Sequence, residues 1–137
     1  MVDNINVVKR GTRGKEPLNI EKIHEMVEYA CEDISGVSAS QVEMQSGLQF
    51  YNDITTDDIQ QILIKSAADL ISLDSPNYQY VAARLLLYSL RKQVMGRLWD
   101  HPHFFDHVNR AVEKNVYDHS ILEKYQRKDF DRMENWI

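Results

Sequence analysis

Residues Val7 to Ile23 read VVKRGTRGKEPLNIEKI, and the rest of the chain is organised around them. Val7 and Val8 are β-branched and suit a short strand. Gly11 and Gly14 flank Thr12 and Arg13, the composition of a hairpin loop, and Pro17 and Leu18 close a second arm. Asn19 stands where a helix N-cap belongs, because its side-chain oxygen can accept an orphan backbone N–H. Glu21 falls in the first helical turn, where the helix dipole favours a negative charge. This layout puts Lys9 and Arg10 at the end of a strand, above a helix N-terminus. Cations beside exposed backbone N–H groups are what a polyphosphate needs. Without that ligand, the same residues make a solvated hairpin with ordinary surface charge.

Working outward, Ile20 to Ile34 carries Ile20, Ile23, Val27, Ala30 and Ile34 at helical spacing, with Gly36 as the stop. Ser38 or Ser40 caps a short element over Gln41 to Leu48, with Val42 and Met44 as its inward residues. Gly47 to Asp53 is a turn or a brief extended piece. Thr55 as N-cap and Asp58 at N3 form a short-armed capping box for a helix reaching about Leu73. Its apolar face is Ile59, Ile62, Leu63, Ser66, Ala67, Leu70 and Ile71. Pro76 breaks the chain before a helix over Tyr78 to about Leu98, with Val81, Ala82, Leu85, Leu86 and Leu90 inward. Arg91, Lys92 and Arg97 suit its C-terminal half. After a break at His101 to His103 come a helix over Phe104 to Val116 and two short ones, Ile121 to Tyr125 and Phe130 to Ile137. A small β-cap followed only by helices with short connections defines an α+β, mostly helical class. Its architecture is a β-hairpin cap over an antiparallel helical bundle, with further short helices after it.

The 137 residues suffice for a real core, and 43% hydrophobic with 27% charged residues is ordinary for a globular protein. A net charge of −5 argues against general nucleic-acid binding but leaves room for a local basic pocket. The single cysteine, Cys31, excludes an internal disulfide and a zinc ribbon, and reads as a small core residue. The sequence shows neither a signal-peptide pattern nor an apolar run of about 18 residues, so the expectation is a cytoplasmic protein with no membrane partner. His101, His103 and His107 fit no closed zinc site, so no metal is expected there. Neither a nucleophile elbow, a Walker A loop nor a dinucleotide fingerprint is present, and the residues read as lacking catalytic machinery. Arg91 and Lys92 could join Lys9 and Arg10 if the last bundle helix passes under the hairpin. Otherwise they are a solvated helix end.

Val8-Lys9-Arg10, Leu18-Asn19-Ile20-Glu21-Lys22-Ile23-His24 and Thr56-Asp57-Asp58-Ile59 resemble an ATP-cone. The runs Lys65 to Ser72 and Pro76 to Leu85, continuing through Tyr117-Asp118 and Leu122 to Ile137, resemble the N-terminal region of the large (alpha) subunit of class I, aerobic ribonucleotide reductase. In that family the cone is an overall activity switch that binds ATP (activating) or dATP (inhibiting) away from a catalytic barrel. The resemblance implies that Lys9, Arg10 and Lys92 hold phosphates, with Thr56 at its helix N-terminus. It implies that Glu16 and Asn19 read the adenine edge, that Lys22 and Ile23 line the pocket, that Ile59 packs on base or sugar, and that Val8 closes the cap side. Residues 1–98 would be the cone and 99–137 a helical lead into the barrel. ATP or dATP with Mg2+ would be effectors, with no redox cofactor in this chain. The implied partners are the barrel, a second large subunit and the radical-bearing small subunit, which joins the cone in some inhibited assemblies. With only Cys31 present, the chain would bind nucleotide without reducing one, as a fragment or split product of the longer subunit. The loop Gly11 to Lys15 is longer than in the members it resembles, so its residues carry no implied role. Gln60 stands where a histidine often sits near the nucleotide sugar, so the dATP response is not carried over. The rivals are a nucleotide-sensing transcription regulator, which needs the excluded zinc ribbon, and a helical interaction module whose degenerate cone binds no nucleotide.

Overall fold

The computed structural model describes residues 5–9, 14–96 and 102–137. The chain divides into two compact units, Met1–Gln93 and Val94–Ile137.

The first unit begins with the expected hairpin, β1 (Asn6–Val8) and β2 (Lys15–Pro17), paired antiparallel with Val7 opposite Glu16 and Val8 opposite Lys15. A third strand, β3 (Ile54–Thr55), lies parallel to β1 on its other side, so the sheet order is β2-β1-β3. Local patterning does not reveal this strand, because it is only two residues long. It forms because the preceding loop grips β1: the Asn6 N–H donates to Asn52 Oδ1 at 3.0 Å and the Asp53 N–H to the Asn6 carbonyl at 2.9 Å. Asp53 adopts a positive φ of 64° to make the turn, a conformation that aspartate tolerates better than most residues.

Four helices complete the unit: α1 (Ile20–Cys31), α2 (Ala39–Gly47), α3 (Thr56–Asp69) and α4 (Tyr78–Met95). The cap expectations hold at Asn19, Ser38 and Thr55, whose side chains accept the N–H groups of Lys22, Gln41 and Asp58 respectively. Asp58 does not complete the reciprocal box. Its carboxylate instead accepts the hydroxyl hydrogens of Thr55 at 2.7 Å and Tyr51 at 3.2 Å. The core is Val7, Ile23, Val27, Ala30, Val42, Ile54, Ile59, Leu63, Ala67, Tyr78, Val81, Leu85 and Tyr88, with Ser46 and Ser66 buried among them. Both serines are satisfied: Ser46 donates to the Glu43 carbonyl, and Ser66 accepts from the Gln49 amide.

Several expected boundaries and faces are corrected. α1 stops at Cys31, short of Ile34, because Arg84 of α4 donates to the carbonyls of Ala30 (3.3 Å) and Glu32 (2.5 Å) and Asp33 turns the chain at φ 58°. Cys31 is only half-buried, and burial raises its thiol pKa. Ile20 is exposed at the first position of α1. Met44 points to solvent because α2 buries Val42 and Ser46, one turn apart, and Met44 lies on the opposite face. α3 ends at Asp69, where the Leu70 N–H turns back to the Ala67 carbonyl, and Ile71 is exposed beyond it. In α4 the buried residues are Tyr78, Val81, Leu85 and Tyr88, so Leu86 and Leu90 lie off that face and are exposed. The Tyr78 hydroxyl accepts the Ser38 N–H at 3.0 Å and donates to Gln41 Oε1 at 2.6 Å, fastening the start of α4 to the start of α2. The expected end of α4 at Leu98 lies outside the described residues, as does Arg97.

The second unit contains α5 (Phe104–Glu113), α6 (Ser120–Lys124) and α7 (Arg127–Glu134). Val108, Val112 and Phe130 are its core, with Phe104, Phe105, Ile121 and Leu122 packed against them. α5 stops three residues before the expected Val116. Asn115 takes a φ of 56°, its N–H bonds the Val112 carbonyl, and the Val116 N–H bonds the Ala111 carbonyl, closing the end as a Schellman motif. α7 begins at Arg127 rather than Phe130, because the Asp129 carboxylate accepts the Gln126 N–H at 2.8 Å. No described helix is long and apolar enough to cross a membrane.

Candidate nucleotide site

The sheet register decides which hairpin side chains face the helices. Opposed residues of an antiparallel pair share a face, and successive residues alternate. Val7 is 5% exposed, so its face is the inner one. Glu16, opposite Val7, shares that face, and Lys9, one residue past the end of β1, reaches it by the same alternation. Lys9 Nζ lies 2.8 Å from Glu16 Oε2, a diagonal ion pair. Val8 and Lys15 lie on the other face, where Lys15 Nζ meets Asp53 Oδ2 at 2.6 Å. Asp53 therefore straps β1 through its backbone and β2 through its carboxylate. It carries no sequence signal beyond a turn-forming residue type.

The chain leaves β2 directly into α1. The Leu18 N–H bonds the Ile5 carbonyl at 2.8 Å, which holds Asn19 in place. Asn19 Oδ1 then accepts the Lys22 N–H at 3.0 Å, which leaves the amide nitrogen of Asn19 as a donor. Lys22 is exposed in the first turn, and Ile23 is buried beneath it. The hydrogen bond from Lys9 lowers the Glu16 carboxyl pKa, and the charges of Lys9 and Lys22 add to the effect. Glu16 is thus a carboxylate paired with Lys9 and subject to the charge of Lys22.

The remaining sequence-derived site residues are distributed as follows. Thr56 is the half-buried first residue of α3, and Ile59 is buried one turn further on. Gln60, next to Ile59, donates its amide to the Leu85 carbonyl of α4 at 3.0 Å. Lys92 is exposed in the last turn of α4 and forms no ion pair with a described residue. Arg10 lies outside the described residues. The structure thus brings Lys9, Glu16, Asn19 and Lys22 into one neighbourhood and sets Val8 on the opposite sheet face from Lys9 and Glu16.

Histidines are engaged elsewhere. His24 on α1 meets Glu43 of α2 at 2.8 Å and Glu28 at 3.2 Å, and its pKa is raised, first by the Glu43 hydrogen bond. His103 pairs with Glu134, and His101 lies outside the described residues. Among the described residues, no group of three His, Cys, Asp or Glu side chains is placed to hold a metal ion.

Fold and site together define a small β-cap joined to a helical bundle, with lysines, a carboxylate and an amide where cap meets helix. A profile of the ATP cone domain matches residues 5–93, and the chain belongs to that family. Over its whole length the chain is 46% identical to the ribonucleoside-diphosphate reductase subunit alpha of Buchnera aphidicola (subspecies Acyrthosiphon pisum). It is also 46% identical to that of Haemophilus influenzae and 44% identical to the ribonucleoside-diphosphate reductase 1 subunit alpha of Escherichia coli. It spans 18% of the length of each of these relatives.

Proposed function

We propose that the chain is the allosteric nucleotide-binding region of a class I ribonucleotide reductase large subunit, with ATP as the activating effector and dATP as a second adenine ligand of the same site. Residues 1–98 form the cone, and residues 99–137 lead into the catalytic barrel. The observation that carries this reading is the inner face of the hairpin, where Lys9 and Glu16 stand beside the start of α1 with Asn19 and Lys22.

Adenine presents an amino group next to a ring-nitrogen acceptor. Glu16 supplies an acceptor for the first, and the Asn19 amide nitrogen supplies a donor for the second. Guanine carries the reverse pattern, a carbonyl oxygen beside a ring N–H, and mismatches both. Lys9, Arg10 and Lys92 hold the phosphates with the Thr56 hydroxyl, and Mg2+ enters on the triphosphate oxygens. Lys22 and Ile23 line the pocket, Ile59 supports base or sugar, and Val8 backs the cap. The effector works by population shift: it favours whichever arrangement of large subunits and radical-bearing small subunit binds it more tightly.

Calorimetric titration with ATP, dATP and GTP in magnesium tests the reading. Micromolar binding of the adenine nucleotides and none of GTP supports it, and no binding of any of them overturns it. A second reading, a helical interaction module that binds no nucleotide, draws on the exposed Leu86, Leu87 and Leu90 of α4.

A further inference from the structure

We propose that the Lys9–Glu16 ion pair is a resident gate, in which Glu16 holds the ammonium group that a phosphate must take and is repaid for releasing it only by an adenine amino group. This rests on the nucleotide reading above and concerns how the same site selects its ligand.

The two residues with the most distinct roles, a phosphate holder and a base reader, are bonded to each other at 2.8 Å. The contact follows from the hairpin: Glu16 is paired opposite Val7, and Lys9, the first residue beyond β1, lies diagonally across from Glu16. Lys22, in the first turn of α1, adds its positive field to that of the paired Lys9. A naked polyphosphate drawn to those cations meets the Glu16 charge and must displace it. Once Lys9 turns to the phosphates, Glu16 has lost its hydrogen-bond donor and faces an oligoanion. Adenine cures both defects, because its amino group donates to the carboxylate that Lys9 has left. Guanine adds a carbonyl oxygen at the same place and is repelled. Base and phosphate are therefore sensed together, and neither fragment of the nucleotide opens the site efficiently alone.

The side chains of Lys9 and Glu16 are 45% and 42% exposed, so the gate is a modest one. Ion pairs this open change affinities by a few-fold rather than by orders of magnitude.

The test is titration of the whole chain, wild type and Glu16→Gln, with ATP, GTP and inorganic tripolyphosphate, all in magnesium. Tripolyphosphate is read by its competition against a fluorescent adenine nucleotide. Neutral glutamine no longer holds or repels, so tripolyphosphate should bind about threefold tighter. In the same variant ATP should bind more weakly, and the preference for ATP over GTP should narrow. Opposite signs for the two ligands are the signature, since a merely structural change would weaken both. Glu16→Asp, which keeps the charge, should leave tripolyphosphate weak. The gate is overturned if wild type binds ATP while Glu16→Gln leaves tripolyphosphate unchanged or weaker, or if tripolyphosphate fails to compete in both proteins. Failure of wild type to bind ATP at all removes the nucleotide reading itself, a separate outcome.

Discussion

Asn19 caps α1 with its amide oxygen, which accepts the Lys22 N–H, while the proposed recognition of the base falls to its amide nitrogen. The two tasks separate by mutation. Asn19→Asp retains a good cap, so stability should stay within about 0.5 kcal/mol of wild type. The lost donor should weaken ATP binding roughly tenfold. Asn19→Ala should lose both, at about 1 kcal/mol of stability. Thermal unfolding and calorimetry on the same preparations check this. Gln60 behaves differently, since its amide is committed to the Leu85 carbonyl. Gln60→Ala should cost about 1 kcal/mol and move the ATP-to-dATP affinity ratio by less than about twofold. A larger shift in that ratio would mean that Gln60 reads the sugar. The caps Asn19 and Thr55 were legible, and Ser38 as one of two candidates, because capping is a local matter between one side chain and the next turn. The Lys9–Glu16 pair was not legible as a pair, because it depends on hairpin register.

At the level of elements, two tethers hold α1 from outside. α1 has no basic residue in its last turn, and Arg84 reaches across from α4 to its terminal carbonyls. This meets the need of a helix C-terminus for both donors and positive charge. Arg84→Ala should cost about 1.5–3 kcal/mol, with Arg84→Lys recovering only part because the forked donor is lost. Denaturant unfolding measures both. On the other side His24 joins α1 to Glu43 of α2, with Glu28 and Glu25 of α1 also facing it. Its folded pKa is raised above the ordinary 6.5, so the protonated form is favoured in the folded state. The stabilisation is then complete below the unfolded value and disappears as pH rises through the folded one. His24→Gln should therefore destabilise the protein more at pH ~5.5 than at pH ~8.5, which paired melting curves at the two pH values will show. Equal losses at both would remove the charge from the explanation.

For the whole molecule, the two units have separate cores. Phe130 is the largest side chain of the second, and it meets the rings of Phe104, Phe105 and Tyr125 at centroid distances of 5.7, 5.5 and 6.3 Å. Phe130→Ala should cost about 3–5 kcal/mol. That is about as much stability as a core of this size supplies, so the second unit should unfold. The proposed nucleotide residues all lie in the first unit, and ATP affinity should stay unchanged. Circular dichroism should show the loss of three short helices while calorimetry shows binding intact.

Residues that act on their near neighbours made the starts of α1, α3 and α4, the hairpin and the mostly helical class readable from the sequence itself. So did the runs that carry the family resemblance, because identity of residues does not wait for folding. Tertiary structure decided what depends on partners distant in sequence. β3 exists only because the 51–53 loop grips Asn6, and α1 ends where Arg84 meets it. Which leucines of α4 are buried was likewise settled by packing, since Leu85 and Leu86 are chemically alike and differ only in the face they occupy. The cation and the carboxylate of the candidate site were both visible as residues. Their embrace required a register, and a register exists only once two strands have paired.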